Sequence, residues 1–214
     1  DSYGDNGFFL LVLPAFLVAK ALLLHGDHFA AGHGMALALF RMAFLVMLER
    51  TLTQFMRGNF QVDILRRPLL DNSIKLLGLL LVIEFALAPG LAAAAALLLA
   101  LLLGARFLFW KPLLALRRID IGIMYIGYLL IVAQLVVQAL GRLEVPAWTG
   151  SVSVHLFSFG VMGTVIPAML IRISKGHTGR KVMFDALDRA VLYLMLTALA
   201  LRIVAPQLLP AAYL

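Results

Sequence analysis

Leu91-Ala-Ala-Ala-Ala-Ala96-Leu-Leu-Leu99-Ala-Leu-Leu-Leu103 is an uncharged tract of two residue types. It lies within the apolar run Leu91–Trp110. A helix crossing a bilayer needs roughly 20 predominantly apolar residues. The tract is low in complexity, and its residues suit lipid contact or small-residue packing rather than chemistry. Six further runs of comparable character stand beside it: Gly7–Leu24, His33–Phe55, Ser73–Ala88, Ile121–Leu140, Ser151–Ile171 and Met183–Ala205. The sequence therefore predicts an all-α fold, a polytopic transmembrane helix bundle of about seven spanning helices forming one domain over 1–214.

Composition supports the same fold. Hydrophobic residues make up 63% of the 214 residues and charged residues 14%; mean hydropathy is +1.00. A soluble domain holds about 45–50% apolar and about 25% charged residues, and only a lipid-facing surface absorbs such an excess. The net charge of +7 is spread over loops and helix ends, without the dense stripe of a nucleic-acid site. There are no cysteines, so disulfides, thiolate metal sites and cysteine nucleophiles are excluded. No Walker-type phosphate loop is present.

Punctuation and charge order the runs. Asp71, Asn72 or Ser73 is placed to cap the third run, and Pro89-Gly90 to turn it into the fourth. Leu208–Leu214 reads as the start of a further helix. Arg57, Arg66 and Arg67 follow the second run, Lys111, Arg117 and Arg118 the fourth, and Lys175, Arg180 and Lys181 the sixth. These basic connections alternate with poorly basic ones, so the positive-inside rule puts all three in the cytoplasm and the N-terminus inside. Arg41 then falls in the outer half, about 12 Å below His33. Glu84 is also in the outer half, and Lys20 and Arg202 are near outer helix ends.

Ionisable groups at membrane depth cost about 2.5–3.5 kcal/mol each and need a reason. Glu84 is expected to face the interior and meet Arg41 or Lys20. Gln134 and Gln138, at i and i+4, could line a polar path. His25, His28, His33 and His155 gather near the outer side, and His177 lies on the inner side. Histidine is the commonest metal ligand and a haem axial ligand; the plain alternative for the first three is a solvated interfacial loop. His155 shares a helix face with Ser158, Phe159 and Met162, while Gly160 and Gly163 allow close approach of a helix or a flat cofactor. It reads either as a cofactor ligand or as an interhelical hydrogen-bonding residue. Between the sixth and seventh runs lies Arg172-Ile-Ser-Lys-Gly176-His177-Thr178-Gly179-Arg180, a tight basic turn in which both glycines are expected in glycine-favouring conformations.

That string, preceded by His155 and the glycine-bearing helix, resembles the NnrS family. These are bacterial inner-membrane proteins tied to nitric-oxide stress and described as containing haem and copper. Arg202, Ala205 and Pro206 are similar to the end of the family's next helix, and Glu49-Arg50-Thr-Leu-Thr-Gln-Phe55 to a further segment lacking its glycine and proline. Tyr125 stands where the family often has a histidine before Gly-Tyr. By its length the chain resembles the C-terminal half of a family member.

The resemblance implies haem and/or copper as cofactors and nitric oxide as a partner alongside the lipid bilayer. It makes His155 the first candidate metal ligand, with His177, His25, His28 and His33 behind it. Arg41, Arg202 and Met162 become candidate cofactor contacts, the arginines toward propionates. Whether the chain turns over a substrate does not follow. A non-catalytic subunit packed against other membrane subunits or the remaining half of a longer chain is the alternative, and a small-solute transporter a third.

Overall fold

A computed structural model describes residues 3–145 and 151–208. Within them the chain is helical: α1 (Tyr3–Leu24), α2 (Phe29–Phe60), α3 (Pro68–Leu80), α4 (Pro89–Phe109), the short α5 (Pro112–Ala115), α6 (Ile119–Arg142), α7 (Val152–His155), α8 (Gly163–His177) and α9 (Ala186–Leu208). Each predicted run maps onto a helix or onto two or three joined helical segments. Among the described residues five segments are long and apolar enough to cross a membrane: Gly26–Phe60, Pro89–Phe109, Ile119–Arg142, Val152–His177 and Ala186–Leu208. The other two are shorter, an apolar stretch Leu10–Leu24 within α1 and the broken helix that begins with α3. The predicted further helix after Leu208 lies outside the described residues.

Three helices open on proline. Pro68, Pro89 and Pro112 each occupy the first turn, where the missing N–H costs nothing and the fixed φ suits the helix. This moves the start of α3 ahead of the expected Asp71–Ser73 cap. Asp71 sits instead in the first turn, buried, with its carboxylate turned to α4.

Two helices depart from the regular form. After Leu80, the third run continues as a 3-10 segment, Leu81–Ala86, with Ile83 outside helical angles. Between α7 and α8 lies a π-helical segment, Leu156–Met162, a distortion often found at functional sites. Periodicity alone gave no sign of either.

Packing explains the Ala/Leu tract. Ala92, Ala96, Leu99 and Leu103 are buried, whereas Leu91, Leu98, Leu101 and Leu108 are exposed. The buried face packs α4 into the bundle, against α6 above all, and the exposed leucines face lipid. Lipid tails are as apolar as leucine, so close van der Waals packing and interhelical polar bonds must hold such helices together. α6 is the central helix, touching α2, α4, α7, α8 and the π segment. At its crossing with α8, a Cβ on Gly127 would come within 2.3 Å of Val165 Cγ2; only glycine permits that approach. A second close crossing joins α3 to α2, where Met42 lies against Gly78.

The three basic connections meet. Arg118, before α6, donates to Asn59 at the end of α2 (2.6 Å) and to the Val182 carbonyl between α8 and α9 (3.1 Å). All three therefore share one face, as charge alternation predicts. That face is called the inner pole below, and the opposite one the outer pole.

Candidate functional site

Beginning at the outer pole, Arg41 is buried in the bundle core, at 1% exposure. Its Nη1 donates to Gln134 Oε1 (2.9 Å) and Gln138 Oε1 (2.7 Å). One helical turn separates these glutamines on α6, so both amides face α2. Gln134 Nε2 donates to Gln138 Oε1 (2.8 Å) and to Ser153 Oγ on α7 (3.1 Å). Gln138 Nε2 donates to Glu84, and Arg142 Nη2 donates to the other oxygen of that carboxylate (2.8 Å). The amide orientations follow from chemistry, since Arg41 needs an acceptor and Glu84 a donor.

Glu84 thus faces the interior, as expected, but its direct partners correct the prediction. They are Gln138 and Arg142, while Arg41 is reached only through Gln138 and Lys20 is exposed on α1. The break after Leu80 carries Glu84 toward α6, and Gly34 on α2 leaves room for it, 3.4 Å from Glu84 Oε1 to an ideal Cβ. Beside the cluster, Gln138, Gly141, Arg142, Ser151, Ser153 and Val154 line an outward cleft of about 400 Å³.

His155 closes α7 at the rim of this region, half-buried. Its Nδ1 lies 2.8 Å from both the Ser151 carbonyl and the Ser151 hydroxyl. Its Nε2 accepts from Arg202 Nε on α9 at 3.0 Å. Arginine only donates, so Nε2 must be unprotonated and Nδ1 carries the proton toward the Ser151 carbonyl. The imidazole is therefore a neutral, fixed tautomer. Ser151 supplies that bond, whereas Ser158 donates to the Val154 carbonyl.

The space expected at Gly160 and Gly163 is filled by α9, whose Leu199 and Met195 lie 3.1 Å and 2.9 Å from ideal Cβ positions there. Met162 is half-buried against the core. Arg202 and Arg41 do not act together: one meets His155, the other the glutamines.

The remaining histidines are dispersed. His25, His28 and His33 are exposed around the α1–α2 connection, with His25 Nδ1 2.9 Å from the Ala21 carbonyl and the His33 ring stacked on Phe29. His177 is exposed at the end of α8. Among the described residues no group of three or more His, Cys, Asp or Glu side chains is placed to hold a metal ion.

The Arg172–Arg180 string binds its neighbours through residues other than its exposed histidine. Arg172 donates to Asp120 on α6 and lays its guanidinium over the Phe55 ring of α2, 3.8 Å from the centroid. Lys175 ties the turn to α9 through Asp185 (3.1 Å), Asp188 and the Met183 carbonyl (2.9 Å). Asp185 and Asp188 bond each other's backbone N–H at 3.0 and 2.9 Å, a reciprocal cap on α9. Asp185 is held below the ordinary carboxyl pKa by the Asp188 N–H first and Lys175 second. Thr178 Oγ1 donates back to Ser174 (2.8 Å), and the Arg180 N–H to the Lys175 carbonyl (2.9 Å). Gly179 has φ +67° as predicted. Gly176 does not: it is part of α8, and its position is open to a Cβ.

A second cluster, at the inner pole, was missed in the sequence. Glu49, 4% exposed, accepts from Arg106 on α4 (3.0 Å) and Arg66, with Lys75 at 3.8 Å. Arg106 also reaches Asp71 (3.4 Å) and Tyr128 Oη (3.0 Å), and lies 4.6 Å over the Trp110 ring. Arg106 was hidden in an otherwise apolar run, and Glu49 in one whose hydropathy it barely lowers. The available signal was that both lie more than a turn inside their runs.

No curated protein and no solved structure matches the chain. The family profile described as NnrS protein matches residues 3–214, reaching well before the segments that carried the resemblance. A multi-pass bundle matched over nearly all its length by that profile belongs to the NnrS family.

Proposed function

We propose that this chain serves in the bacterial response to nitric oxide, as a protein of the inner membrane with its inner pole in the cytoplasm, and that a haem is held through His155. The carrying observation is the state of that imidazole. Its Nδ1 is braced from behind by Ser151, and its Nε2 lone pair is directed at a cation, the Arg202 guanidinium. A metal-bound histidine needs the same support on its second nitrogen. When bound, a reduced haem iron supplies the site that nitric oxide ligates.

The chain's own residues fix the tautomer and cover the lone pair, so ligation requires Arg202 to turn aside. Copper fits less well. The donor set offers one braced imidazole and no group of three ligands among the described residues.

The test is an optical spectrum and metal analysis of protein purified in nanodiscs. Expected is a Soret band that is lost or shifted in folded His155→Ala and unchanged when His25, His28 and His33 are all replaced by alanine. Folded wild type without a Soret band, from cells supplied with haem, would overturn the reading.

A further inference from the structure

Arg41 is buried, yet its Nε and Nη2 have no hydrogen-bond partner among the described residues. These atoms form one edge of the guanidinium, offering two parallel, coplanar N–H donors. That edge is the geometry of bidentate carboxylate recognition. The third nitrogen, Nη1, is taken by two glutamine carbonyls. Those amides are neutral, and the nearby carboxylate of Glu84 is bonded to Gln138 and Arg142. Arg41 therefore lacks both partners for two donors and a direct counter-charge.

A buried guanidinium in that state is costly. A water would satisfy the donors but bring no charge into contact with the guanidinium, whereas an anion with two coplanar oxygens supplies both. Arg41 itself does not line the outward cleft, but Gln138, which binds its Nη1 at 2.7 Å, does, so the guanidinium lies one side chain behind the cleft wall. Arg142, 43% exposed at the side chain, adds positive charge at its wall. We infer that the Nε–Nη2 edge of Arg41 is a binding site for a planar two-oxygen anion of the carboxylate class, entered from the outer pole. The inference stands on Arg41 and its neighbours and does not depend on haem binding at His155.

The experiment uses the whole chain in nanodiscs of zwitterionic lipid, titrated with sodium formate, with sodium chloride as a spherical-anion control at equal ionic strength. Formate should bind saturably by calorimetry and raise the unfolding temperature, with chloride at least tenfold weaker. Arg41→Lys keeps the charge but loses the paired edge, and should weaken formate binding at least tenfold. Gln134→Glu places a carboxylate against the guanidinium with little change of shape, and should weaken it similarly. It decides the matter if Arg41→Lys does not fold. Decanoate binding more tightly than formate would identify the carboxylate of a membrane amphiphile as the source; equal or weaker binding would identify a free small anion. The inference is overturned if neither probe binds folded wild type saturably, or if a folded Arg41→Lys or, failing that, Gln134→Glu binds formate as wild type does.

Discussion

At the inner pole, Arg106 faces two carboxylates, a tyrosine hydroxyl and an indole ring. At the outer pole, Arg41, equally buried at 1% exposure, faces two amides. Both guanidinium groups retain unpartnered nitrogen, Nη2 in Arg106 and both Nε and Nη2 in Arg41. The difference lies in charge compensation. The inner cluster ties α2, α3 and α4 together and, through Tyr128, reaches α6; at the same pole Asp120 of α6 separately binds Arg118 and, on α8, Arg172. Such an arrangement suits a structural clamp. The outer cluster is under-compensated and adjoins a cleft, which suits an occupant. Two arginines of equal burial thus carry different meanings, and their partners distinguish them.

The largest expected effect breaks the inner cluster. Glu49→Leu leaves Arg106 without its closest carboxylate, and removing one partner of a buried pair costs about 3–5 kcal/mol. Denaturant unfolding in mixed micelles should show a loss of that order. A change under about 1 kcal/mol would mean that Asp71 alone can hold Arg106, and that the inner cluster is no clamp.

The inner turn should respond next. Gly179→Val forces a β-branched residue into left-handed backbone, at about 1–2 kcal/mol. Gly176→Ala should be neutral or slightly stabilising, because Gly176 is helical and unobstructed. Equal losses in the two variants would contradict the assignment of one glycine to the turn and the other to α8.

A smaller effect is expected from Arg41→Met, and it sharpens the contrast. It forfeits hydrogen bonds that average about 0.6 kcal/mol each between helices in membranes, while removing a buried charge without a carboxylate partner. In carboxylate-free buffer its stability should lie within about 1 kcal/mol of wild type. A loss matching that of Glu49→Leu would make the outer cluster structural too.

The smallest effect concerns pH at the cap of α9. Asp185 titrates below its ordinary value of 3.8 in the folded protein. Its contribution is therefore fully present above that value and is lost as pH falls through the depressed folded value. Hydrogen exchange at the Ala186–Arg189 amides should be protected at pH 5 and should lose part of that protection as pH drops below 3.8, with an Asp185→Asn variant showing less pH dependence.

The spans were legible because the bilayer imposes a length and an apolarity that leave their mark on the linear chain. Charge alternation likewise put the three basic connections on one face, and Arg118 joins them there. His155 could be singled out as a membrane-depth histidine, while its support by Ser151 emerged from the structure. The sequence alone determined the helical class, the runs and their common basic pole, because hydropathy and loop charge are properties of successive residues. Only the tertiary structure decided that Arg41 meets Gln134 and Gln138, that Glu49 meets Arg106, and that Arg202 rather than a glycine-lined space faces His155. Those pairings join residues 93, 97, 57 and 47 positions apart. They depend on how each helix rotates and where it breaks or crosses its neighbours, which is set by close contacts such as Gly127 against Val165 and Gly78 against Met42. In a bilayer every helix surface is similarly apolar, so hydropathy leaves that rotation undetermined and side-chain shape and polar pairing fix it.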